Sequence, residues 1–254
     1  MKIVVLVKEV PDTYGERRLD PTTGILDRSG DLVVDEIDER ALEVALQYKD
    51  GHKDAEVVVL AVGPASAKDA LRKGLSMGAD RAVHVEDDAL AGADALVTAR
   101  AIAAALRGEA FDLVVAGNES TDGRGGIVPA MVAELLGLPL LGSLGEVAIA
   151  DGSVRGTRLT ETAATTLSAP LPAVVSVTEK SAEARFPNFK GIMTAKRKPL
   201  AVRSTGELGV GSTTPGSRVL TVAERPARAA GTTIADEGDA GERLVAFLRE
   251  RKAI

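Results

Sequence analysis

Short apolar runs alternate with longer segments of helical periodicity along the N-terminal part of the chain. The runs are rich in valine, have the length of strands and fall at residues 2–8, 56–62, 81–85 and 111–116. Apolar residues recur at helical spacing between and after them, at 39–49, 70–77, 93–106 and 127–136. Because uninterrupted apolar runs are typical of strands buried on both faces, this order predicts an α/β fold. We expect a mainly parallel, Rossmann-like sheet with helices on both faces.

The pattern changes after residue 139. Asp151-Gly152 lies between the strand-like segments 146–150 and 153–156, and such a pair favours a two-residue hairpin turn. A threonine-rich run at 160–168 is expected to continue this antiparallel hairpin as edge strands, and a buried strand follows at 173–177. These segments complete a predicted α/β domain of residues 1–198.

An extended C-terminal arm is predicted for residues 199–254. Glycine and proline interrupt the periodicity there, and only the segment 242–252 has the pattern of a short amphipathic helix. Such an arm has too little apolar surface to form its own core. We therefore expect it to pack on a partner subunit or back onto its own domain.

The composition excludes several classes of protein. No apolar stretch approaches the roughly 20 residues of a membrane-spanning helix, and residues 1–8 are too short and too charged for a signal peptide, so a cytoplasmic protein is expected. The chain has no cysteine and only two histidines, His52 and His84, so we expect no metal site. His84 lies inside a predicted strand and is expected in the core. The net charge of −6 and 2% aromatic residues disfavour nucleic-acid binding.

A polar, glycine-rich segment follows the strand at 111–116 and precedes the helix at 127–136. Its residues are Gly117, Asn118, Glu119, Ser120, Thr121, Asp122, Gly123, Arg124, Gly125 and Gly126. Glycines let a backbone approach an anion closely, and a helix N-terminus offers free N–H groups, so the order strand, loop, helix suits a phosphate. The glycine spacing matches neither the Walker loop nor the dinucleotide fingerprint, and an ordinary turn is an equal alternative.

A second segment combines aromatic and basic residues. Phe186 and Phe189 lie between Arg185 and Lys190, and the basic run Lys196-Arg197-Lys198 follows. Exposed rings within a positive rim would form a docking surface for an acidic partner. The alternative is that both rings cover the domain's own core while the charges are solvated.

Four segments in order along the chain resemble the beta subunit of electron transfer flavoprotein, in its bacterial, actinobacterial-like form. They are Val5-Leu6-Val7-Lys8-Glu9-Val10-Pro11-Asp12, Gly74-Leu75-Ser76-Met77-Gly78-Ala79-Asp80-Arg81-Ala82, the segment 117–123, and residues 185–198. The resemblance implies an adenine-nucleotide-binding α/β fold and a heterodimer with an alpha subunit. It also implies electron transport in fatty acid β-oxidation, from acyl-CoA and related flavoprotein dehydrogenases to a membrane quinone oxidoreductase.

The resemblance further implies a carrier subunit rather than an enzyme, without a catalytic side chain and without insertion in the membrane. FAD would lie mainly in the alpha subunit, and the beta subunit would hold a structural AMP. An electron-bifurcating flavoprotein, with a second FAD in the same beta pocket, is the alternative. A stand-alone ATP- or AMP-binding protein is a more distant one, since no histidine or cysteine lies near the glycine-rich loop to activate a nucleophile.

Two sets of site residues follow from the resemblance. The nucleotide pocket would comprise Leu6, Val7, Lys8, Asp35, Glu36, Ile37, Asp38, Val62, Gly63, the segment from Gly117 to Gly126, Ile127 and Val128, with the phosphate at 123–128. The docking loop, within residues 183–198, would comprise Arg185, Phe186, Phe189, Lys190, Ile192, Met193, Lys196, Arg197 and Lys198.

The chain departs from the family pattern at two of these positions. Phe189 stands where many members present a leucine to the dehydrogenase, so a different receiving pocket is expected. Ile37 stands where many members have an aromatic ring that lies against the partner subunit's flavin. Asp12, Asp20 and Glu36 are expected near the pocket mouth, where their charges would disfavour a second phosphate and so favour AMP over FAD.

Overall fold

The computed structural model of the chain describes residues 1–223, 226–227, 231, 233 and 235–254. Its strands are β1 (Lys2–Leu6), β2 (Glu9–Pro11), β3 (Leu32–Val34), β4 (Glu56–Val62), β5 (Arg81–Val85), β6 (Leu113–Gly117), β7 (Leu140–Ala150), β8 (Ser153–Leu159), β9 (Ala164–Pro170), β10 (Ala173–Val177) and β11 (Leu200–Arg203). Its α-helices are α1 (Glu36–Gly51), α2 (Ala67–Met77), α3 (Ala95–Arg107), α4 (Val128–Leu136), α5 (Phe189–Ala195) and α6 (Ala240–Glu250).

Nine of the described strands form one sheet, in the order β11-β5-β4-β1-β6-β10-β7-β8-β9. Neighbouring strands from β11 to β7 are parallel, whereas β8 and β9 continue the sheet in antiparallel pairing. Ala150 pairs with Ser153 across the turn at Asp151-Gly152. The predicted parallel sheet with an added antiparallel hairpin is confirmed.

Helices cover both faces of the parallel part of the sheet. Alternate residues of one strand point to opposite faces, so Ile3 and Val5 pack with α1 and α2, while Val4 packs with α3 and α4. Each of these three β1 side chains is fully buried. The continuous apolar runs in the sequence therefore reflect a sheet with a core on each side, as predicted.

Helix α1 begins three residues earlier than its apolar periodicity indicates. Asp35 caps it by accepting a hydrogen bond from the N–H of Ile37, and Glu36, Asp38 and Glu39 lie in the first turn. Acidic residues are favourable there because the helix dipole is positive at its N-terminus. The cap places Asp35 and Asp38 at the sheet edge where β1 ends.

The polar stretch after β2 forms a long hairpin. Strands β2 and β3 pair in antiparallel fashion, and Leu19 pairs with Leu26 farther out. Asp20 stabilises the turn at its tip by accepting from the N–H groups of Thr22 and Thr23. This hairpin, residues 12–31, projects from the same sheet edge as the glycine-rich loop.

The C-terminal part differs from the sequence prediction. Residues 200–203 form the edge strand β11, which pairs with β5, and the chain divides into compact units at 1–221 and 222–254 rather than at residue 199. A four-residue strand whose partner lies far away in sequence gives no local periodic signal. Within the second unit, α6 leaves Leu244, Val245 and Phe247 exposed. Packing of residues 199–254 on a partner stays a prediction.

Among the helices that the structure describes, none has both the length and the apolar character needed to cross a membrane. Groups of three or more histidine, aspartate or glutamate side chains placed to hold a metal ion are likewise absent from the described residues.

Candidate functional site

Three adjacent parallel strands end at one edge of the sheet and bring the predicted nucleotide residues together. Strand β1 lies between β4 and β6, with Val5 opposite both Val59 and Val115. Lys8 follows β1, Gly63 follows β4, and the loop 118–127 connects β6 to α4. The N-terminus of α1 lies at the same edge, because Asp38 contacts the ends of both β1 and β6.

Asp38 joins two of these strand ends through its carboxylate. One oxygen accepts the backbone N–H of Lys8 at 2.8 Å and the other accepts the N–H of Gly117 at 3.0 Å. Burial raises the pKa of Asp38 well above its ordinary value, and the nearby charge of Asp35 raises it further. Both oxygens are used within the protein, so Asp38 holds the ends of β1 and β6 together rather than offering a free acceptor.

Asp35 fixes the middle of the glycine-rich loop. Besides capping α1, its carboxylate accepts the backbone N–H of Thr121 at 2.6 Å and the Thr121 hydroxyl at 2.8 Å. Asp35 is fully buried. A buried carboxylate with three donors holds its partners firmly, so residues 117–121 have a fixed path above the strands.

A buried ion cluster holds the next part of the loop. Asp122 accepts from the Lys8 ammonium at 2.7 Å and from the Arg28 guanidinium at 3.2 Å, and its side chain is only 2% exposed. Burial favours the neutral acid, but hydrogen bonding to Lys8 and the positive charges keep the pKa of Asp122 below its ordinary value. Arg28 also donates to the carbonyl of Glu9 at 2.8 Å.

Sequence reasoning missed Arg28. It lies in a polar hairpin without a motif, and only the fold of residues 12–31 carries it back over the glycine-rich loop. The available sequence signal was two leucines, Leu19 and Leu26, on either side of Thr22-Thr23-Gly24, because such a pattern is typical of a hairpin. In the structure the two leucines pair.

Residues 123–127 are exposed and lead into the first turn of α4. Within the described part of the chain no side chain caps this helix at Ile127, and Pro129 lies in its first turn. Gly126 has φ of +61°, a conformation that glycine adopts freely. The first N–H groups of α4 therefore have no partner among the described side chains and follow an exposed, glycine-containing loop. Such an arrangement suits a phosphate.

Asn118, just after β6, and Arg17, on the hairpin, have buried polar atoms without partners in the described part of the chain. The buried Oδ1 of Asn118 has no hydrogen-bond partner among the described residues, and the same holds for the buried Nε and Nη2 of Arg17 on the hairpin. Buried polar atoms are normally paired. An acceptor at Asn118 suits an amino or hydroxyl group, and a donor pair at Arg17 suits an anion.

The other predicted pocket residues belong to the ends of β1 and β4, the first turn of α1 and the loop after β6. Leu6, Val7 and Ile37 are buried in the core, and Val62 ends β4. The carbonyl of Gly63 accepts from Nε2 of His84 at 3.0 Å. Ser120 accepts from Lys8, Glu36 from the Thr13 hydroxyl, and Glu119 is half-buried. Ile37, which replaces an aromatic ring in the family pattern, is therefore not exposed on the described chain.

The predicted docking segment exposes its apolar residues. Phe186 is 92% exposed and Phe189 79%, and Ile192 and Met193 on α5 are also exposed. Lys190, Lys196 and Arg197 are exposed around them. Neither ring covers the core, so the alternative interpretation of this segment is wrong. The exposed patch has the composition of a docking surface.

Two cations of this segment have partners inside the protein. Arg185 binds Glu43 and Asp50. The Lys198 ammonium donates to the carbonyls of Leu75 and Ala79, at 2.9 and 2.6 Å, where α2 ends. Both therefore fasten the segment to the domain, and the positive rim is formed by Lys190, Lys196 and Arg197.

Comparison with known proteins shows the family of the chain. A family model described as "Electron transfer flavoprotein domain" matches residues 23–207. The chain is 50% identical to the electron transfer flavoprotein subunit beta of Mycobacterium leprae, with 99% of each chain covered. It is 37% identical to the protein of the same name from Syntrophomonas wolfei, covering 93% of this chain and 91% of the relative.

A relative of different name is also similar. The chain is 32% identical to "Caffeyl-CoA reductase-Etf complex subunit CarD" of Acetobacterium woodii, with 83% of this chain and 80% of that protein covered. These similarities extend over both the loop 118–127 and the docking segment.

Proposed function

The chain belongs to the electron transfer flavoprotein beta-subunit family, and we propose that it forms a heterodimer with an alpha subunit and serves as an electron carrier. Electrons would pass from acyl-CoA dehydrogenases and similar flavoproteins to a membrane quinone oxidoreductase. We propose that this electron transfer takes place in the cytoplasm and that the chain itself has no catalytic side chain. FAD, held mainly by the alpha subunit, would supply the redox chemistry.

The exposed apolar patch on α5 and the segment just before it carries this proposal. Phe186, Phe189, Ile192 and Met193 form the knob, and Lys190, Lys196 and Arg197 attract an acidic rim on the dehydrogenase. Desolvated aromatic anchors contribute much of the energy of an interface, while exposed charges mainly raise the association rate. The chain would thus hold the dehydrogenase near the flavin of the heterodimer.

We propose that the pocket at the ends of β1, β4 and β6 holds AMP with a structural role. The uncapped N–H groups at 125–128 would bind the phosphate, and Asn118 would accept a hydrogen bond from the nucleoside. Asp35, Asp38 and Asp122 would keep the loop in its binding conformation. These contacts require no proton or group transfer, in keeping with a structural nucleotide.

A second FAD in the same pocket, as in a bifurcating flavoprotein, is the alternative that one observation favours. The unpaired buried nitrogens of Arg17 provide donors for a further phosphate.

The deciding experiment is to co-purify the chain with its alpha subunit, release the small molecules with acid and determine AMP and FAD per heterodimer. One AMP with one FAD would support the simple carrier. Two FAD without AMP would make the protein bifurcating. A heterodimer that contains no AMP and only one FAD would refute a nucleotide role for the loop 118–127.

A further inference from the structure

Each of the two exposed rings of the docking segment follows a residue whose side chain is hydrogen-bonded within the protein. Phe186 follows Arg185, which binds α1. Phe189 follows Asn188, whose side chain caps α5 by accepting from the N–H of Gly191 at 2.8 Å. Gly191 lies so close to α2 that a Cβ there would stand 2.2 Å from the carbonyl oxygen of Ser76. The rings are therefore exposed, while their backbone is held.

Glu43 provides the attachment on α1. Its carboxylate binds Arg185 in a bidentate manner, with Nε to Oε2 at 2.6 Å and Nη2 to Oε1 at 2.9 Å. The backbone N–H of Arg185 also reaches Oε2, at 3.3 Å. Glu43 is only 5% exposed, so the carboxylate of this pair is shielded from solvent, whereas the Arg185 side chain is 32% exposed. One turn earlier on α1, Arg40 donates to the carbonyl of Ala182.

A second carboxylate contacts the same guanidinium from outside. Asp50 accepts from Nη2 of Arg185 at 2.8 Å, and its side chain is 59% exposed. Exposed ion pairs contribute little because solvent and salt screen them, whereas removal of one partner from a buried pair leaves an uncompensated charge. Glu43 and Asp50 bind the same arginine, one buried and one exposed, so variants at the two positions can be compared directly.

We propose that Glu43 is a positioning residue for partner docking, which it serves by holding Arg185 and thereby the path of the chain into Phe186. The proposal rests on the proposed docking function of this segment. Glu43 is too buried to touch a dehydrogenase, so its effect passes through Arg185. Without the pair, residues 183–188 would sample more conformations, and the partner would have to order them on binding.

This loss of order has a specific kinetic signature. Ordering a flexible side chain or loop at an interface costs about 0.5–1.5 kcal/mol per immobilised group, which corresponds to a change in affinity of roughly two- to tenfold. The cost falls on association with the dehydrogenase. Once the complex has formed, the distance between the two flavins is restored, so the rate at saturation should stay close to that of the wild type.

The test uses the intact heterodimer with an acyl-CoA dehydrogenase reduced by its acyl-CoA substrate. Glu43→Gln keeps the shape of the side chain and removes its charge. We expect it to raise the KM of the dehydrogenase for the heterodimer about fivefold, with kcat within about twofold. Asp50→Asn is the control and should leave KM within about twofold. Glu43→Asp, which restores the charge, should recover part of the loss.

Hydrogen exchange separates positioning from general destabilisation. In Glu43→Gln, amides of residues 183–188 should exchange faster, while those of β4 keep their protection. An unchanged KM, or equal effects of Glu43→Gln and Asp50→Asn, would overturn the proposal, as would faster exchange throughout α1 and β4. Phe189→Ala is the reference for docking itself: if it too leaves KM unchanged, the proposed docking function fails, independently of the role of Glu43.

Discussion

Single buried carboxylates organise the sheet edge at the ends of β1 and β6. Asp35, Asp38 and Asp122 each accept hydrogen bonds from groups distant in sequence, and each is nearly or fully buried. A carboxylate offers several acceptor sites, so one side chain can satisfy backbone N–H groups of separate segments. The acidic residues around the loop therefore hold its conformation.

Asp38→Asn should weaken the pocket. The two Asp38 oxygens face the N–H groups of Lys8 and Gly117, and the amide NH₂ of asparagine would oppose one of these donors. A buried N–H without an acceptor costs about 1–3 kcal/mol, although loss of a buried charge offsets part of this. We expect a lower free energy of unfolding, by about 1–2 kcal/mol, and less nucleotide per heterodimer.

The matched control is Asp69→Asn, which makes the same change in the first turn of α2, where the side chain is exposed. It should leave the nucleotide content unchanged. Urea unfolding and nucleotide analysis of both variants check the expectation, and equal nucleotide loss in the two would contradict it.

His84 is fully buried, as the sequence predicted, and donates from Nε2 to the carbonyl of Gly63. Burial lowers its pKa from the ordinary value of 6.5. The unfolded chain therefore takes up a proton at a pH at which the folded protein does not. The stability that neutral His84 confers is fully present above pH 6.5 and is lost as the pH falls through the folded-state pKa.

Comparison of the two histidines tests this pH dependence. The free energy of unfolding of the wild type should fall between pH 7.5 and pH 5.5, and His84→Gln should show a smaller fall because it removes the titrating group while keeping a donor toward Gly63. His52, which is exposed and stacked on Tyr48, is the control. If His52→Gln flattened the pH dependence as much, the assignment to His84 would be refuted.

At the scale of elements, α1 contributes to both candidate surfaces. Its N-terminal Asp35 and Asp38 hold the glycine-rich loop and the end of β1, and Arg40 and Glu43, one and two turns later, hold the docking segment. The amphipathic period of α1 predicted the helix and its core face. These partners of the four polar residues lie between 30 and 142 residues away along the chain, so they follow from packing rather than from local sequence.

The loop before α4 offers a prediction about backbone conformation. Gly126 has φ of +61°, so Gly126→Ala should cost about 1 kcal/mol of stability and redirect the N–H groups at the helix N-terminus. Gly125→Ala is the control, because an added Cβ at Gly125 meets no atom within 4 Å and the backbone there is outside the left-handed region. Thermal unfolding should separate the two, and equal shifts in Tm would refute the backbone argument.

At the scale of the whole molecule, the chain divides into a compact unit of residues 1–221 and a second unit of residues 222–254. Within the second unit, helix α6 leaves Leu244, Val245 and Phe247 exposed. An amphipathic helix with an exposed apolar face is stabilised when a partner covers it. The exposed face favours the first of the two sequence predictions for residues 199–254, packing on a partner subunit, which we expect to be the alpha subunit.

Replacement of Leu244 and Phe247 by serine should therefore weaken heterodimer formation. Burial of a large apolar side chain contributes about 1.5–3 kcal/mol, so the dissociation constant should rise more than tenfold. Sedimentation or titration of the two subunits measures it, with Glu250→Gln on the same helix as the control. If the serine variant bound the alpha subunit like the wild type, α6 would not belong to the interface.

The sequence by itself determined the parallel α/β core, the hairpin at Asp151-Gly152 and the glycine-rich loop, because these depend on local periodicity and turn chemistry. It also placed the knob residues Phe186 and Phe189 on one segment. Only the tertiary structure decided that Arg28 binds Asp122 and that residues 200–203 join the sheet. It also decided that Arg185 and Lys198 bind groups of their own domain instead of contributing to the positive rim of the docking segment. Each of these contacts joins segments far apart in sequence, and their geometry exists only once the strands have been ordered in the sheet.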